Sequence, residues 1–535
     1  MAEKGNFTTG SGDVEVKEIY TPRDVADIDF AADIGEPGRY PYTRGRSATG
    51  YRKGLWRMGV YSGFSSGDDA NQRLRQLVQR GAQRLLVALD LPTQVGYDAD
   101  SPEAAYEVGR VGVSINSLKD IEDLFEGIPI ENMLVGTTGN AISPIALAWF
   151  IALAEKRNCP LDKVACQIQN DILKEFIVRG TYIFPLDASL RLTADVIEYC
   201  ISSLPKDWTP AIVCGTHMRA AGATPAQTIA FTLSNAIAYL DSVRSRGVSV
   251  AATAPRFEFH FISGFDIFEE AAAFRALRKV WARIMRDRYG INDPHAQTVH
   301  LLSAVTPTQL FTAQQPLNNL ARLTLSVVSA ALGGVDEFSA NCYDEALSIP
   351  TAEAVVTSLR AQQVVAYESG IPNVIDPLGG SYYVERLTLE IEDRIMGLID
   401  KVTEMGGAVV ATKQGYFQRE ITNQAYKEQK LLDSGEKAWI GVNKFRNDDS
   451  RQEFPIFQAD PHCRERQIEK LRNLKAERNM RLVRDCLRRV EEVARTSENI
   501  VPAVLEAVKA YTTVGEICGV LRKVFGEYHQ ETLYT

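Results

Sequence analysis

The sequence predicts an α/β fold: a (β/α)8 TIM barrel carrying an N-terminal arm and a C-terminal helical region. Two observations point there. From Leu85 onward, short apolar runs rich in β-branched residues alternate with longer stretches of helical periodicity, the pattern of βα units around a parallel sheet. Several of those runs end in a polar cluster that leads into a helix, at Asp90, at Asn170 and Asp171, at Thr216 and His217, and at Asn341. About eight such units fit a closed barrel, whose chemistry gathers at the C-terminal ends of its strands. An open doubly wound sheet is the alternative arrangement of the same units.

The elements follow in order. Residues 1–45, with the stretch "DIGEPGRYPYTRG", carry proline and glycine punctuation and little periodicity, and so predict an arm lying on another surface. Residues 46–401 hold the barrel. Its candidate strands are "RLLVALDLP", "MLVGTT", "VACQIQ", "PAIVCG", "RFEFHFIS", "TVHLLSAV", "EFSAN" and "NVIDP". Between them, "AISPIALAWFIALAEKRN", "TPAQTIAFTLSNAIAYLDSVRSRG" and "IFEEAAAFRALRKVWARIMRDRYG" place apolar residues at helical spacing with polar residues on the other face. Residues 402–535 turn to long charged helices, "RERQIEKLRNLKAERNMRLVRDCLRRVEEVAR" being the clearest. There is no internal repeat and no low-complexity tract.

Composition narrows the function classes. A chain of 535 residues with 45% hydrophobic and 24% charged residues and a net charge of -9 reads as a globular enzyme and offers no field for gathering nucleic acid. The eight cysteines stand singly with no CxxC pair, which signals neither a zinc site nor a disulfide framework and predicts a reducing, cytoplasmic setting. The N-terminus lacks the basic start and apolar core of a secretion signal, and no apolar run reaches the roughly 20 residues of a membrane helix, so a soluble protein without a membrane partner is expected.

Generic motifs are absent: no P-loop, no HExxH, no GxSxG, and "GRVGVSIN" lacks the third glycine of a dinucleotide fingerprint. His295 and His300, five apart, read as ordinary surface or core histidines rather than metal ligands. Arg179 is more telling. It stands among Phe176, Ile177, Val178, Tyr182, Ile183 and Phe184, and a cation buried there requires an anion. That anion is either an acid such as Asp171 or Glu175, or a substrate.

Longer segments carry more information. "YPYTRGRSATGY" with "SGFSSGDDANQR", "LDLPTQVGYDAD", "QIQNDILKEFIVRGTYIFP", "GTHMRAAGATPAQTIAFTL", "APRFEF", "NCYDEALSIPT", "ESGIPNVIDPLGGSYYVE" and "IGVNKF" occur in this order between about Tyr40 and Phe445. Together they resemble the large-subunit or catalytic part of the coenzyme-B12-dependent acyl-CoA mutases, the methylmalonyl-CoA mutase family. The resemblance implies a barrel threaded by the pantetheine of an acyl-CoA substrate, with adenosylcobalamin across its C-terminal mouth. The family's D-x-H-x-x-G cobalt-ligating motif does not occur in the sequence, "DPHAQT" at Asp293 lacking the glycine. The expected partner is therefore a small cobalamin-binding subunit bearing that motif, contacted by the arm, in a heterodimer or heterotetramer. A G-protein chaperone belongs to the same expectation.

Residue by residue, the resemblance makes Arg179 the partner of a substrate carboxylate. A planar guanidinium suits bidentate carboxylate recognition. It makes His217 a hydrogen-bond donor to the thioester carbonyl with Gln169 near the same group, and Tyr61 the wedge between substrate and adenosyl group. Asn341 and Glu345 match adenosyl ribose contacts, and Leu91 and Ala346 face the corrin. Thr49 and Arg256 match substrate and CoA contacts, although Glu258 stands where the family usually has serine. No metal ligand is expected in this chain, the cobalt ligand lying on the partner. The bland readings are core packing for Tyr61, Leu91 and Ala346, a satisfied core histidine for His217, and a helix-start acid for Glu345.

Departures refine the substrate. Against the resembled family, Ser47 and Thr216 stand where tyrosines are expected, and Gly50, Gly54 and Gly59 where larger side chains are usual. Gly54 also removes a usual CoA-binding arginine, whose place Arg52 or Lys53 could take. Lost rings leave a cavity that something must fill. The expected reaction is an adenosylcobalamin-dependent radical rearrangement of a bulky alkyl- or aryl-substituted succinyl-CoA and malonyl-CoA pair. Alternatives are a methylmalonyl-CoA, ethylmalonyl-CoA or isobutyryl-CoA mutase, or a non-catalytic acyl-CoA-binding barrel. Ala88 argues against the 2-hydroxyisobutyryl type, where an aspartate holds the substrate hydroxyl.

Overall fold

The computed structural model describes residues 7–60, 63–305, 310–447 and 460–530. Its strands in chain order are β1 (Phe7–Thr8), β2 (Glu15–Val16), β3 (Arg57–Val60), β4 (Arg84–Val87), β5 (Leu134–Thr137), β6 (Ala165–Ile168), β7 (Trp208–Thr209), β8 (Ala211–Cys214), β9 (Phe257–Ile262), β10 (His300–Ala304) and β11 (Glu337–Ala340). β1 and β2 pair antiparallel by themselves. The other nine form one sheet in the order β7-β6-β5-β4-β3-β11-β10-β9-β8, and its two end strands are separated in the chain by Pro210 alone. With helices between successive strands of the sheet except β7 and β8, this is the α/β barrel class that the alternation predicts.

Seven of the candidate strands are present, as β4, β5, β6, β8, β9, β10 and β11. "NVIDP" is not a strand. Ile371–Asn373 makes a 3-10 turn and the chain then loops through Asp376 at φ 49. Pro372 and Pro377 supply no N–H to a ladder, which explains the difference. Its place in the sheet is taken by β3, whose "RMGV" alternation is too short to stand out.

The chain divides into two compact units. The first comprises Met1–Gly59, Cys214–Ala238 and Val250–Ile456. Here β9, β10 and β11 run parallel, with His300 opposite Glu258 and Leu302 opposite Glu337. The helix Ile267–Arg283 is buried almost all round, its supposed solvent face included. Arg275 is fully buried between Asp376 and Glu385, and Lys279 lies 2.7 Å from Glu392; Glu385 and Glu392 belong to the helix Tyr382–Glu404 and Asp376 precedes it. Arg278 donates to the carbonyls of Tyr42, Thr43 and Gly333. Pairing of this kind is what makes buried cations tolerable. The N-terminal residues are held in the same unit, where the Thr9 hydroxyl donates to Glu269 at 2.8 Å and Val25, Ile28 and Ile34 pack with Leu389.

The second unit comprises Val60–Val213, Tyr239–Ser249 and Phe457–Thr535. β4, β5, β6 and β7 are parallel, Leu85 opposite Val135 and Cys166 opposite Trp208. The richest apolar stretch is the core helix Ser143–Lys156, buried from Ser143 to Ala154. No helix among the described residues is long and apolar enough to cross a membrane. The long charged C-terminal stretch is two helices, Cys463–Glu477 and Met480–Ala494. They are broken at Asn479, whose side chain accepts from the Arg481 and Leu482 N–H groups. An N-cap asparagine satisfies donors that a continuous helix would not leave open.

Candidate active site

Arg179 closes a compact polar cluster beyond β6. The short helix Ile172–Lys174 runs into a wide turn, Glu175–Arg179, which Gly180 ends at φ 84. The left-handed residue reverses the chain, so Thr181 returns to donate its N–H to Glu175 at 3.1 Å. Glu175 then collects cations. Lys174 Nζ lies 2.6 Å and Arg179 Nη1 3.1 Å from its Oε1, which also accepts from Asn140 at 2.6 Å. Burial would raise this carboxyl, but Lys174 and Arg179, with the Lys174 and Thr181 hydrogen bonds, outweigh it and hold it below the ordinary range.

Gln169 joins the same cluster, its side-chain oxygen accepting from Asn140 at 3.1 Å and Lys174 at 3.0 Å. With that oxygen taken, the remaining polar group of the amide is its NH2 donor. Asp171, the other acid weighed as a partner for Arg179, accepts instead from the Tyr239 hydroxyl at 2.5 Å. The aromatic neighbours of Arg179 pack on one another: Phe176 stacks on Tyr182 at 5.0 Å between centroids, and Tyr528 sits edge-on to both.

His217 is the second residue of the helix Thr216–Ala220, directly after β8. Its Nδ1 lies 3.2 Å from Thr216 Oγ1 and 3.6 Å from Cys214 Sγ. Gly215 permits this turn by close approach, since a Cβ there would meet Thr228 Cγ2 and Thr232 Oγ1 at 2.7 Å and Phe261 Cδ1 at 2.8 Å. Two residues on, Arg219 donates to the Ala223 carbonyl at 2.8 Å and to Glu270 at 3.1 Å. Glu270 is pushed up to about 7 by burial, with Arg219 opposing.

After β11, Glu345 accepts the Cys342 N–H at 3.2 Å. Burial pushes its carboxyl up to about 8 against the hydrogen bonds from Asn341 and Cys342. Ala346 follows in the same loop, partly buried. Leu91 begins a short helix after β4, capped by Asp90, and stays 37% exposed. Tyr61 lies outside the described residues.

Ser47 and Thr49, their hydroxyls 2.9 Å apart, line a cavity of about 900 Å³. Arg44, Arg46, Lys53 and Arg57 line it too, while Gly50 and Gly54 leave it open. Lys53 thus stands at this wall, whereas Arg52 and Arg256 do not. The segment "IPNVIDPLG" forms another part of the wall through Ile371, Val374, Ile375, Asp376 and Pro377. Asp376 is held by Arg44 at 2.8 Å and by the buried Arg275.

Glu258, an acid where phosphate contacts were expected, is not left to face anions alone. His300 Nδ1 lies 3.6 Å from it, and His300 Nε2 lies 3.2 Å from Glu337, which Arg57 also contacts at 3.0 Å. Burial lowers the His300 imidazole, but Glu258, Asp336 and Glu337 together raise it to about 9. Sequence reasoning missed this set because its members come from three strands. The available signal was a charged residue at or near the start of each of the runs that became β9, β10 and β11.

Comparison with known proteins agrees with the resemblance. Residues 9–527 match the family model described as methylmalonyl-CoA mutase. The chain is 40% identical over 98% of its length to the 2-hydroxyisobutanoyl-CoA mutase large subunit of Aquincola tertiaricarbonis, of which it covers 93%. It is 37% identical over 96% of its length to methylmalonyl-CoA mutase of Rhizobium meliloti (strain 1021), covering 72% of that protein. Against the mitochondrial methylmalonyl-CoA mutase of Homo sapiens, identity is 36% over 96% of the chain and 68% of the relative.

Proposed function

The chain belongs to the methylmalonyl-CoA mutase family of isomerases, and on that premise we propose that it rearranges the carbon skeleton of a bulky, carboxylated acyl-CoA. The observation that carries this reading is the convergence of two cations, Lys174 and Arg179, on one carboxylate, Glu175. A substrate carboxylate supplies a second anion to that set, and Arg179, 20% exposed, is the member that can reach it. Ser47 and Thr216, small where the family resemblance puts rings, make room for an alkyl or aryl substituent. The basic lining of the 900 Å³ cavity suits the phosphates of CoA, with Ser47 and Thr49 at its wall. Arg256 is assigned to the same ligand by resemblance alone.

Within this reading His217 and the Gln169 amide donate to the thioester carbonyl, and Tyr61 separates substrate from cofactor. A donor fixed on that oxygen stabilises charge that develops as the carbonyl carbon migrates.

The family implies cobalamin. Adenosylcobalamin, when bound, would supply the radical chemistry. The chain's own residues fit contact with it. Glu345, raised to about 8, is largely protonated at neutral pH and with Asn341 offers both donors and acceptors to a ribose. Leu91 and Ala346 offer apolar surface to the corrin. The cobalt ligand is assigned to a small subunit with a D-x-H-x-x-G motif, a partner suggested by the relative named a large subunit. A heterodimer or heterotetramer, a G-protein chaperone and a cytoplasmic setting complete the proposal.

The 40%-identical relative raises a second substrate, a 2-hydroxyacyl-CoA. Ala88, 4% exposed, offers no group to hold a hydroxyl. The test is turnover by the chain with its small subunit and adenosylcobalamin. Phenyl- or alkylsuccinyl-CoA should be preferred to methylmalonyl-CoA, and both to isobutyryl-CoA and 2-hydroxyisobutyryl-CoA. Preference for either uncarboxylated substrate sinks the reading. A sample silent in electron spin resonance with every substrate leaves only acyl-CoA binding.

A further inference from the structure

The role of His217 depends on which ring nitrogen carries its proton, and the residues beside it decide that. Resting on the carbonyl-donor reading above, we propose that Thr216, backed by Cys214, is a positioning residue that holds His217 in the tautomer protonated on Nε2.

The three side chains form a chain of short contacts at the end of β8. Thr216 Oγ1 lies 2.8 Å from Cys214 Sγ and 3.2 Å from His217 Nδ1, and Cys214 Sγ is itself 3.6 Å from Nδ1. Nδ1 is thus met by two groups that each carry a hydrogen. Two orders of donation connect them. In one, the thiol donates to the hydroxyl and the hydroxyl donates to Nδ1, so the sequence ends on an imidazole lone pair. In the other, Nδ1–H donates to the hydroxyl, whose hydrogen must then point to the thiol sulfur. Imidazole nitrogen is a strong acceptor and thiol sulfur a weak one, which favours the first order. Cys214 is 0% and Thr216 8% exposed, so both sit in surroundings that strengthen hydrogen bonds between them.

The backbone keeps the contacts in register. The Gly215 N–H donates to the His260 carbonyl at 2.8 Å, and the Gly215 carbonyl accepts the Arg219 N–H at 3.0 Å. The three close approaches that exclude a Cβ at Gly215 fix the turn against Thr228, Thr232 and Phe261. With Nδ1 occupied as acceptor, Nε2 bears the hydrogen and is the ring's donor. The opposite tautomer would present a lone pair to a carbonyl oxygen and repel it. Thr216, a departure from the family's aromatic residue, thereby gains a task of its own.

Ring-15N-histidine labelling of the full-length chain tests this, because only 6 histidines contribute and His217→Gln assigns the signal. The expected spectrum shows a bare Nδ1 and a protonated Nε2 for His217. Thr216→Val should mix the tautomers and lower kcat about tenfold in the reconstituted mutase with KM changed less than about twofold. Thr216→Ser should restore both the spectrum and kcat, which a loss of packing alone would not allow. A protonated Nδ1 in the wild type, or ring populations unchanged in Thr216→Val, overturns the proposal. The spectrum is read without substrate. An Nε2–H ring in the wild type, with mixed tautomers but normal kcat in Thr216→Val, would therefore count against the carbonyl-donor reading while leaving the ring assignment standing.

Discussion

Arg179 and Lys174 share one oxygen of Glu175, the guanidinium at 3.1 Å and the ammonium at 2.6 Å. Lys174 is fully buried while the Arg179 side chain is 20% exposed, so on the proposed reading Lys174 holds the cluster and Arg179 meets the substrate.

Replacing Arg179 with glutamine should therefore spare the fold and damage the chemistry. Loss of a charge-assisted, bidentate contact costs about 3 kcal/mol, or roughly 100-fold in kcat/KM for carboxylated thioesters. Steady-state kinetics with carboxylated and uncarboxylated acyl-CoAs check this, with a melting temperature close to wild type as the control. Equal losses on both substrates would count against the assignment.

Lys174→Met should do the reverse. It strips a buried carboxylate of its nearest cation, a change that costs on the order of 3 kcal/mol in urea unfolding. Any surviving folded protein should still discriminate in favour of carboxylated substrates, because Arg179 remains.

His300 gives a pH signature. Its folded value of about 9 lies above the unfolded 6.5, so its contribution is full below about pH 6.5 and is lost as pH rises through about 9. Thermal unfolding of wild type and His300→Gln across pH 6 to 10 should show a gap on the order of 1–3 kcal/mol at the acid end that closes toward the alkaline end. A gap that widens with pH would contradict the pairing with Glu258 and Glu337.

Gly215→Ala should destabilise by about 1–3 kcal/mol through overpacking, since its Cβ has contacts as short as 2.7 Å to relieve. Because relief must shift the turn that carries His217, kcat should fall further than stability alone explains. Thr232→Ala in the same chain removes one of the clashing atoms and should recover part of both.

Where the sequence was legible, local pattern sufficed. β4, β5, β6 and β8 to β11 are apolar runs with turn residues at their ends, and Arg179 announced itself as a cation among aromatics. What stayed hidden was long-range. β3 is too short to carry a period, and "NVIDP" has strand composition but two prolines around a left-handed Asp376. The polar face of Ile267–Arg283 suggested solvent, yet Arg275 and Lys279 are buried because their acids arrive from more than 95 residues downstream. The aromatic residues near Arg179 were read as its surroundings, whereas their packing is completed by Tyr528 from the far C-terminus.

Asp376 offers one carboxylate to two arginines of unequal standing. Arg275 is sealed in and is held from its other side by Glu385, while Arg44 faces the cavity and is 27% exposed. On the proposed reading, a phosphate of the acyl-CoA would draw Arg44 away and leave the loop where Arg275 anchors it. The doorway can change partners without moving its frame.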